Sequence, residues 1–92
     1  MKSILICTSH KGVFYGEVPE DTDLTPKMLT DIKNARMVFY WRNEKGVMGL
    51  ASDGPDDKCN WGEPADIEVL HDITSVFTVT DKAKSAWNRE NQ

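Results

Sequence analysis

Hydrophobic and polar positions divide the chain into short runs separated by turn-forming residues. Residues 3–9 (SILICTS) are a continuous apolar, β-branched run and predict a first strand. His10, Lys11 and Gly12 mark a turn, and residues 13–18 (VFYGEV) predict a second strand that pairs with the first as a hairpin. The two-residue period of a strand puts Phe14, Gly16 and Val18 on one face, read as core. Val13, Tyr15 and Glu17 fall on the other face, read as surface. Gly16 in mid-strand signals a bulge, or the close approach of another backbone or a ligand.

An acidic loop over 19–23 (PEDTD) leads into residues 24–34 (LTPKMLTDIKN). Thr25 as N-cap, Pro26 at the first helical position, and Met28, Leu29 and Ile32 at helical spacing predict a short helix. An irregular connection carrying the same apolar anchors is the alternative. The dominant pattern is residues 34–52 (NARMVFYWRNEKGVMGLAS): an apolar run, the turn signal Asn43, Glu44, Lys45 and Gly46, then a second apolar run. That order predicts a β-hairpin. Over 36–42, Met37, Phe39 and Trp41 alternate with Arg36, Val38, Tyr40 and Arg42, and the first set reads as core. On the return strand, 47–53, Met48 and Leu50 lie opposite the small Val47, Gly49 and Ala51, which leave room for a ring or a ligand.

Residues 54–64 read as a long loop, a kind of segment that is often functional. Residues 66–70 predict a strand with Ile67 and Val69 inward, and 73–80 a last strand with Ile73, Phe77 and Val79 on one face. Thr80 or Asp81 caps a final helix, DKAKSAWNRE, whose Ala83, Ala86 and Trp87 pack on the sheet. The sum is one α+β, β-rich domain over residues 1–92. It has about six mostly antiparallel strands in a curled sheet or small barrel, one or two short helices, and the C-terminal helix packed on the sheet.

Composition narrows the function classes. The net charge is -4, with Lys and Arg scattered, which disfavours DNA held by counterion release. No apolar run approaches a membrane span, and the first one is too short for the core of a signal peptide. A cytoplasmic location is therefore expected, and Cys7 and Cys59 are expected as reduced thiols.

One set of motifs carries a resemblance. It comprises GVFYGE over 12–17, NAR over 34–36, Tyr40 with Trp41, Gly49-Leu50-Ala51, then Gly54, Pro55 and Cys59, and finally Thr80, Ala83, Lys84 and Ser85. Together these resemble a family of small domains of unknown function encoded by tailed bacteriophages and prophages, over roughly residues 9–85. The chain departs from the pattern in the acidic, helix-like insert before Asn34 and in the helix beyond Ser85. The resemblance implies a phage origin and an accessory role in the host cytoplasm. It transfers no reaction and no functional residues.

Candidate chemistry is sparse. Cys7, His10, Cys59 and His71 supply the ligand types of a zinc site but not its short paired spacings, so no metal is assigned. Cys59 with His10 or His71 as base is a weak nucleophile pair, because Asp56 and Asp57 beside it would raise the thiol pKa. The acidic groups Glu17, Glu20, Asp21 and Asp23, and Asp53, Asp56 and Asp57, match no cation loop and read as solvated surface. No catalytic residue and no cofactor is assigned.

The strongest constellation is aromatic and cationic: Arg36, Tyr40 and Arg42 on one strand face, Tyr15 on another, and Trp61 in the long loop. Arginine forks bind phosphates and rings stack on bases, so a small anionic ligand fits. The same residue types mark subunit interfaces. The functional expectation is a non-enzymatic phage accessory protein that binds a host factor or a small anionic ligand, such as a signalling nucleotide, to counter host defence. The alternative is a structural or self-assembling phage protein whose aromatic and arginine face is an oligomer interface. A homo-oligomer serves both, because small ligands often bind between subunits.

Overall fold

The structure is a computed structural model that describes residues 1–9, 12–41, 46–56 and 59–89. Strands β1 (Lys2–Thr8) and β2 (Val13–Val18) form the expected hairpin, with Leu5 opposite Tyr15. β3 (Leu29–Tyr40) pairs with β2 on one side. On its other side β3 pairs with β4 (Asn60–Trp61) near its end and β5 (Ala65–Leu70) near its start. β6 (Ile73–Thr78) pairs with β1. Every pairing is antiparallel. The result is one curled, unclosed six-stranded sheet in the order β4-β3-β2-β1-β6, with β5 also on β3. Two short helices, α1 (Val47–Ser52) and α2 (Asp81–Trp87), complete it. Among the described residues no helix is long and apolar enough to cross a membrane.

The unbroken apolar run of β1 has a simple cause: this strand is covered on both faces. Leu5 points into a core shared with Tyr15, Val38, Leu50, Trp61 and Trp87, between the sheet and the helices. Ile4 and Ile6 point into a second core inside the curl, with Val18, Leu29, Ile32, Ala35 and Ile73. Surface therefore does not begin where the alternation of β2 suggested, and Val13 and Tyr15 are buried rather than exposed.

β3 is the main departure from expectation. Its buried positions are Leu29, Ile32, Ala35 and Val38, spaced in threes. That spacing, read from the sequence as the helix over 24–34, belongs to a bulged strand. Asp31 and Asn34 take positive φ (55° and 50°), and the register against β5 shifts between Ile32 and Ala35. An extra residue at a bulge changes the phase of the alternation, and Asp and Asn tolerate the left-handed conformation better than most side chains. Thr25 caps no helix; its N–H and hydroxyl both donate to the Asp23 carboxylate, at 3.0 and 2.8 Å, in a local turn. Gly16 faces the bulged region, and a Cβ there would overlap Ile32 Cγ2. The register of β2 against β3 shifts at the same place, between Tyr15 and Glu17.

The second half of the expected hairpin is also corrected. Residues 47–53 fold as α1 and not as a strand, with Leu50 and Ala51 buried and Met48 69% exposed. Gly46, at φ 69° and ψ -154°, supplies the helix start with a conformation that only glycine adopts easily. Arg42 of the expected strand and the turn residues Asn43, Glu44 and Lys45 lie outside the described residues. The faces of β3 are reversed as well: Val38 is core, while Met37 and Phe39 are exposed. Val69, expected inward on β5, is exposed. On β6 Phe77 packs against the helix-side core, while Ile73 and Val76 go to the core inside the curl. A register shift against β1 between Ile73 and Ser75 puts Ile73 and Val76, three positions apart, on the same side.

α2 follows the sequence closely. The Thr80 hydroxyl oxygen accepts from Ala83 N at 3.1 Å as N-cap, and the hydroxyl donates to the Ser52 carbonyl at the end of α1. Gly54 (φ 86°) lets the chain after α1 pass directly against Ala83 and Ala86 of α2. Gly16→Ala is expected to lower stability by about 1–3 kcal/mol in urea unfolding, because the core has no space for the added methyl. Combined with Ile32→Ala, it should cost less than the sum of the single changes, since the clashing methyl is then gone. Simple additivity would show that the contact between these strands is not the constraint.

Candidate functional site

Three of the five candidate residues converge on the helix-side face of the sheet, but as core. β2 places Tyr15 opposite Arg36 of β3, and β4 places Trp61 opposite Val38. Tyr15 and Trp61 are both fully buried, at 0% exposure, so neither offers an open ring for stacking. Trp87 of α2 joins them. Its ring lies nearly parallel to Tyr15, with centroids 5.6 Å apart and planes at 19°. It meets Trp61 edge-on, at 5.8 Å and 76°. These are the favourable offset-stacked and T-shaped arrangements of aromatic pairs. The Trp87 indole N–H donates to the Leu50 carbonyl of α1 at 3.1 Å.

Cations edge this cluster. Arg36 is half-buried and its Nη1 donates to the Gly62 carbonyl at 3.4 Å, while its Nε is shut off from solvent. Arg89, beyond α2, lies over the Trp61 ring at 5.9 Å and donates through Nη2 to the Pro55 carbonyl at 2.8 Å. Tyr40 is half-exposed at the end of β3, and Arg42 lies outside the described residues. The expected grouping of Arg36, Tyr40, Arg42, Tyr15 and Trp61 is thus divided between core and surface.

A polar network that the sequence did not reveal runs outward from the Tyr15 hydroxyl. Tyr15 donates to Glu17 Oε2 at 2.8 Å, and its oxygen accepts from Asn88 Nδ2 at 3.2 Å. Ser3 Oγ lies 3.2 Å from the same hydroxyl. Asn34 Nδ2 donates to Glu17 Oε2 at 3.2 Å and to Asn88 Oδ1 at 2.7 Å, and its backbone N–H donates to Asp66 at 3.2 Å. The network joins β1, β2, β3 and the end of α2 through residues up to 73 positions apart, which no local pattern encodes. Burial pushes the Tyr15 phenol above its ordinary value of 10.0, and hydrogen bonding to the Glu17 carboxylate adds to this. A neutral phenol donating to a carboxylate is a structural tether; the arrangement holds a proton in place.

The other candidate groups stay apart. Cys59 is buried with its Sγ 3.4 Å from Asp56 Oδ1, and burial pushes the half-buried Cys7 thiol up. Among the described residues no three of His, Cys, Asp and Glu come together, and His10 lies outside them. Acidic side chains pair locally at the surface, Asp53 with Lys82 at 3.5 Å and Glu20 with the N-terminal amine at 3.5 Å. An open cleft of about 520 Å³ lies where the curled sheet fails to close, lined by Ser9 and residues 24–27 and 72–76.

Exposed apolar side chains include Met28, Met48 and Val69, and a further group sits at the end of β3. Met37 is 47% exposed, Phe39 66% and Tyr40 50%. The Phe39 ring lies across Gly62, where an added Cβ would stand 3.0 Å from its Cζ. Met37, Phe39 and Tyr40 follow closely along the strand end, where the register of β3 against β4 shifts between Val38 and Tyr40.

A family model matches residues 1–87, the span that contains every strand and both helices and ends on Trp87. The chain belongs to the family Domain of unknown function (DUF6948). Comparison with curated proteins and with solved structures finds no match. The family assignment brings no activity with it, so the functional reading rests on this chain's own geometry.

The Tyr15 network makes a pH prediction. Because the folded chain holds the phenol proton more tightly than the unfolded chain, this contribution is fully present below pH 10 and is lost as pH rises through the folded pKa. Urea midpoints of the native chain should therefore fall more steeply above pH 10 than those of Tyr15→Phe. Parallel curves would place the Tyr15 hydroxyl in water.

Proposed function

We propose that the protein is a non-enzymatic phage accessory protein that acts in the host cytoplasm by holding a host protein, and thereby counters host defence. Its contact surface in this reading is the end of β3, where Met37, Phe39 and Tyr40 stand out from the sheet beside the half-buried Arg36. The observation that carries the reading is the exposure of Phe39 together with its strand neighbours Met37 and Tyr40, which groups large apolar side chains at one strand end. Aromatic residues, methionine and arginine are the types enriched at protein interfaces. The phage origin rests on the motif resemblance of residues 12–17, 34–36 and 40–41.

A host protein fits this surface better than a small anionic ligand does. Two of the three rings expected to stack on a base, Tyr15 and Trp61, are inside the helix-side core, and Arg36 already commits a guanidinium donor to the Gly62 carbonyl. The second reading, self-association of copies through the same β3 face, draws on the same exposed residues.

Affinity capture from host extract with the native chain and with Phe39→Glu tests the proposal. The expected outcome is a host protein retained by the native chain and reduced about tenfold or more by Phe39→Glu, in line with loss of an interface anchor. The melting temperature should stay unchanged. A partner retained equally by both forms would remove the β3 contact. A bound nucleotide mass in native mass spectrometry, lost on Arg36→Ala, would replace the host protein with a small ligand. A native mass in solution that drops in Phe39→Glu would favour self-association.

A further inference from the structure

Gly62 is the point at which a cation and an exposed ring meet. Its carbonyl accepts from Arg36 Nη1 at 3.4 Å, and the Phe39 ring lies across the same residue, where an added Cβ would stand 3.0 Å from Cζ. The Gly62 N–H donates to the Met37 carbonyl at 2.8 Å, which fixes it against the end of β3. The Arg36 guanidinium and the Phe39 ring therefore border one residue. A second guanidinium stands close by, because Arg89 lies over the ring of Trp61, the residue before Gly62.

Neither arginine is neutralised by a carboxylate of the chain. Lys33 pairs with Asp66 and Lys82 with Asp53, each at 3.5 Å. Among the described residues Arg36 and Arg89 make no ion pair, and they bond to the carbonyls of Gly62 and Pro55. Glu63, exposed beside Gly62, makes no ion pair among the described residues either. A carbonyl has no net charge, so both guanidinium groups keep theirs beside an apolar strand end, in a chain of net charge -4. Arg36 is also a strained choice for the fold. Its Nε is shut off from solvent and has no partner among the described residues. A buried donor left without a partner destabilises the folded state, and an apolar side chain of similar length would avoid that loss. What arginine adds here is a charge.

We propose that the partner held at the end of β3 presents a carboxylate to Arg36, from an aspartate or glutamate flanked by apolar side chains that cover Met37 and Phe39. This inference rests on the reading of the β3 end as a contact surface and names the chemistry of what it contacts. Nη1 is committed to Gly62, and Nη2 supplies the donors for the carboxylate. Covering Met37 and Phe39 excludes water from beside the half-buried guanidinium, and an ion pair strengthens as the local dielectric falls. Hydrogen bonds from a guanidinium to a carboxylate are also stronger than those between neutral groups. Arg89 adds to the positive potential that steers an acidic segment to this edge, while a basic segment meets like charge there.

An NMR titration tests it, with a short peptide of leucine and glutamate and with the corresponding peptide of leucine and lysine. The glutamate peptide is expected to shift the backbone signals of residues 36–40 and of Gly62, and the lysine peptide to leave them in place. Arg36→Met should raise the dissociation constant of the glutamate peptide about tenfold or more, as loss of one partner of a desolvated charge pair does. Its melting temperature should not fall, because the orphaned Nε is gone with the guanidinium. On the native chain, added salt should weaken the glutamate peptide's binding, since the pair forms by attraction of charges that salt screens. Four results would overturn the proposal. They are equal shifts by the two peptides, equal dissociation constants for the native chain and Arg36→Met, binding indifferent to salt, or no shift at these residues up to about 10 mM glutamate peptide. Its failure is distinct from that of the host-protein reading. Capture of a host protein that depends on Phe39 and not on Arg36 would remove the carboxylate alone, whereas a native chain that retains no host protein would remove that reading itself.

Discussion

Trp87 occupies the position on which the helix-side half of the molecule depends. Its ring is stacked on Tyr15 and edge-on to Trp61, and its indole N–H is satisfied by the Leu50 carbonyl. Three separate parts of the chain are tied to one side chain: β2 through Tyr15, β4 through Trp61, and α1 through Leu50. A short helix such as α2 is marginal by itself in water and is stabilised mainly by packing its apolar face. Here that face is Trp87 and Ala83, with Thr80 closing the first turn and joining it to the end of α1. The two helices are thus one unit laid across the sheet, and the burial of Tyr15 and Trp61 follows from it.

The second constraint is the bulge in β3, where the register against both β2 and β5 shifts around Asn34. A regular twelve-residue strand would keep one phase and serve one core. With left-handed residues at Asp31 and Asn34, the first half of β3 turns Leu29, Ile32 and Ala35 inward to the curl. The second half gives Val38 to the helix-side core. The price is borne at the end of the strand, where Met37 and Phe39 continue the inner face beyond the point at which the curl covers it. The exposure of Met37 and Phe39 is a geometric consequence of how β3 bends.

The exposed groups are distributed unevenly around the sheet. Charge lies on the β5 edge, ion pairs engage Glu20 and Asp53 in the acidic loops, and exposed apolar side chains are grouped at the end of β3, with Met48 and Val69 exposed elsewhere. The β6 edge is neutral and hydroxyl-rich.

Local chemistry determined much of this protein. The apolar run of β1, its antiparallel pairing with β2, the extent of β2, the strands over 65–70 and 73–78, and the Thr80-capped helix are all legible in the sequence. Each depends on neighbours within a few positions: a cap, a turn residue, a run of β-branched side chains. Gly16 was legible for the same reason, since a strand glycine has few causes. The tertiary structure decided what periodicity leaves open. A spacing of three reads as helix unless bulges interrupt a strand, and whether they do depends on the partners on either side. Which face of β2 and β3 becomes core depends on where α1 and α2 land, because alternation defines two faces without ranking them. So Tyr15 and Trp61 became core, Met37 and Phe39 became surface, and the network from Ser3 to Asn88 formed between residues that only the folded chain brings together.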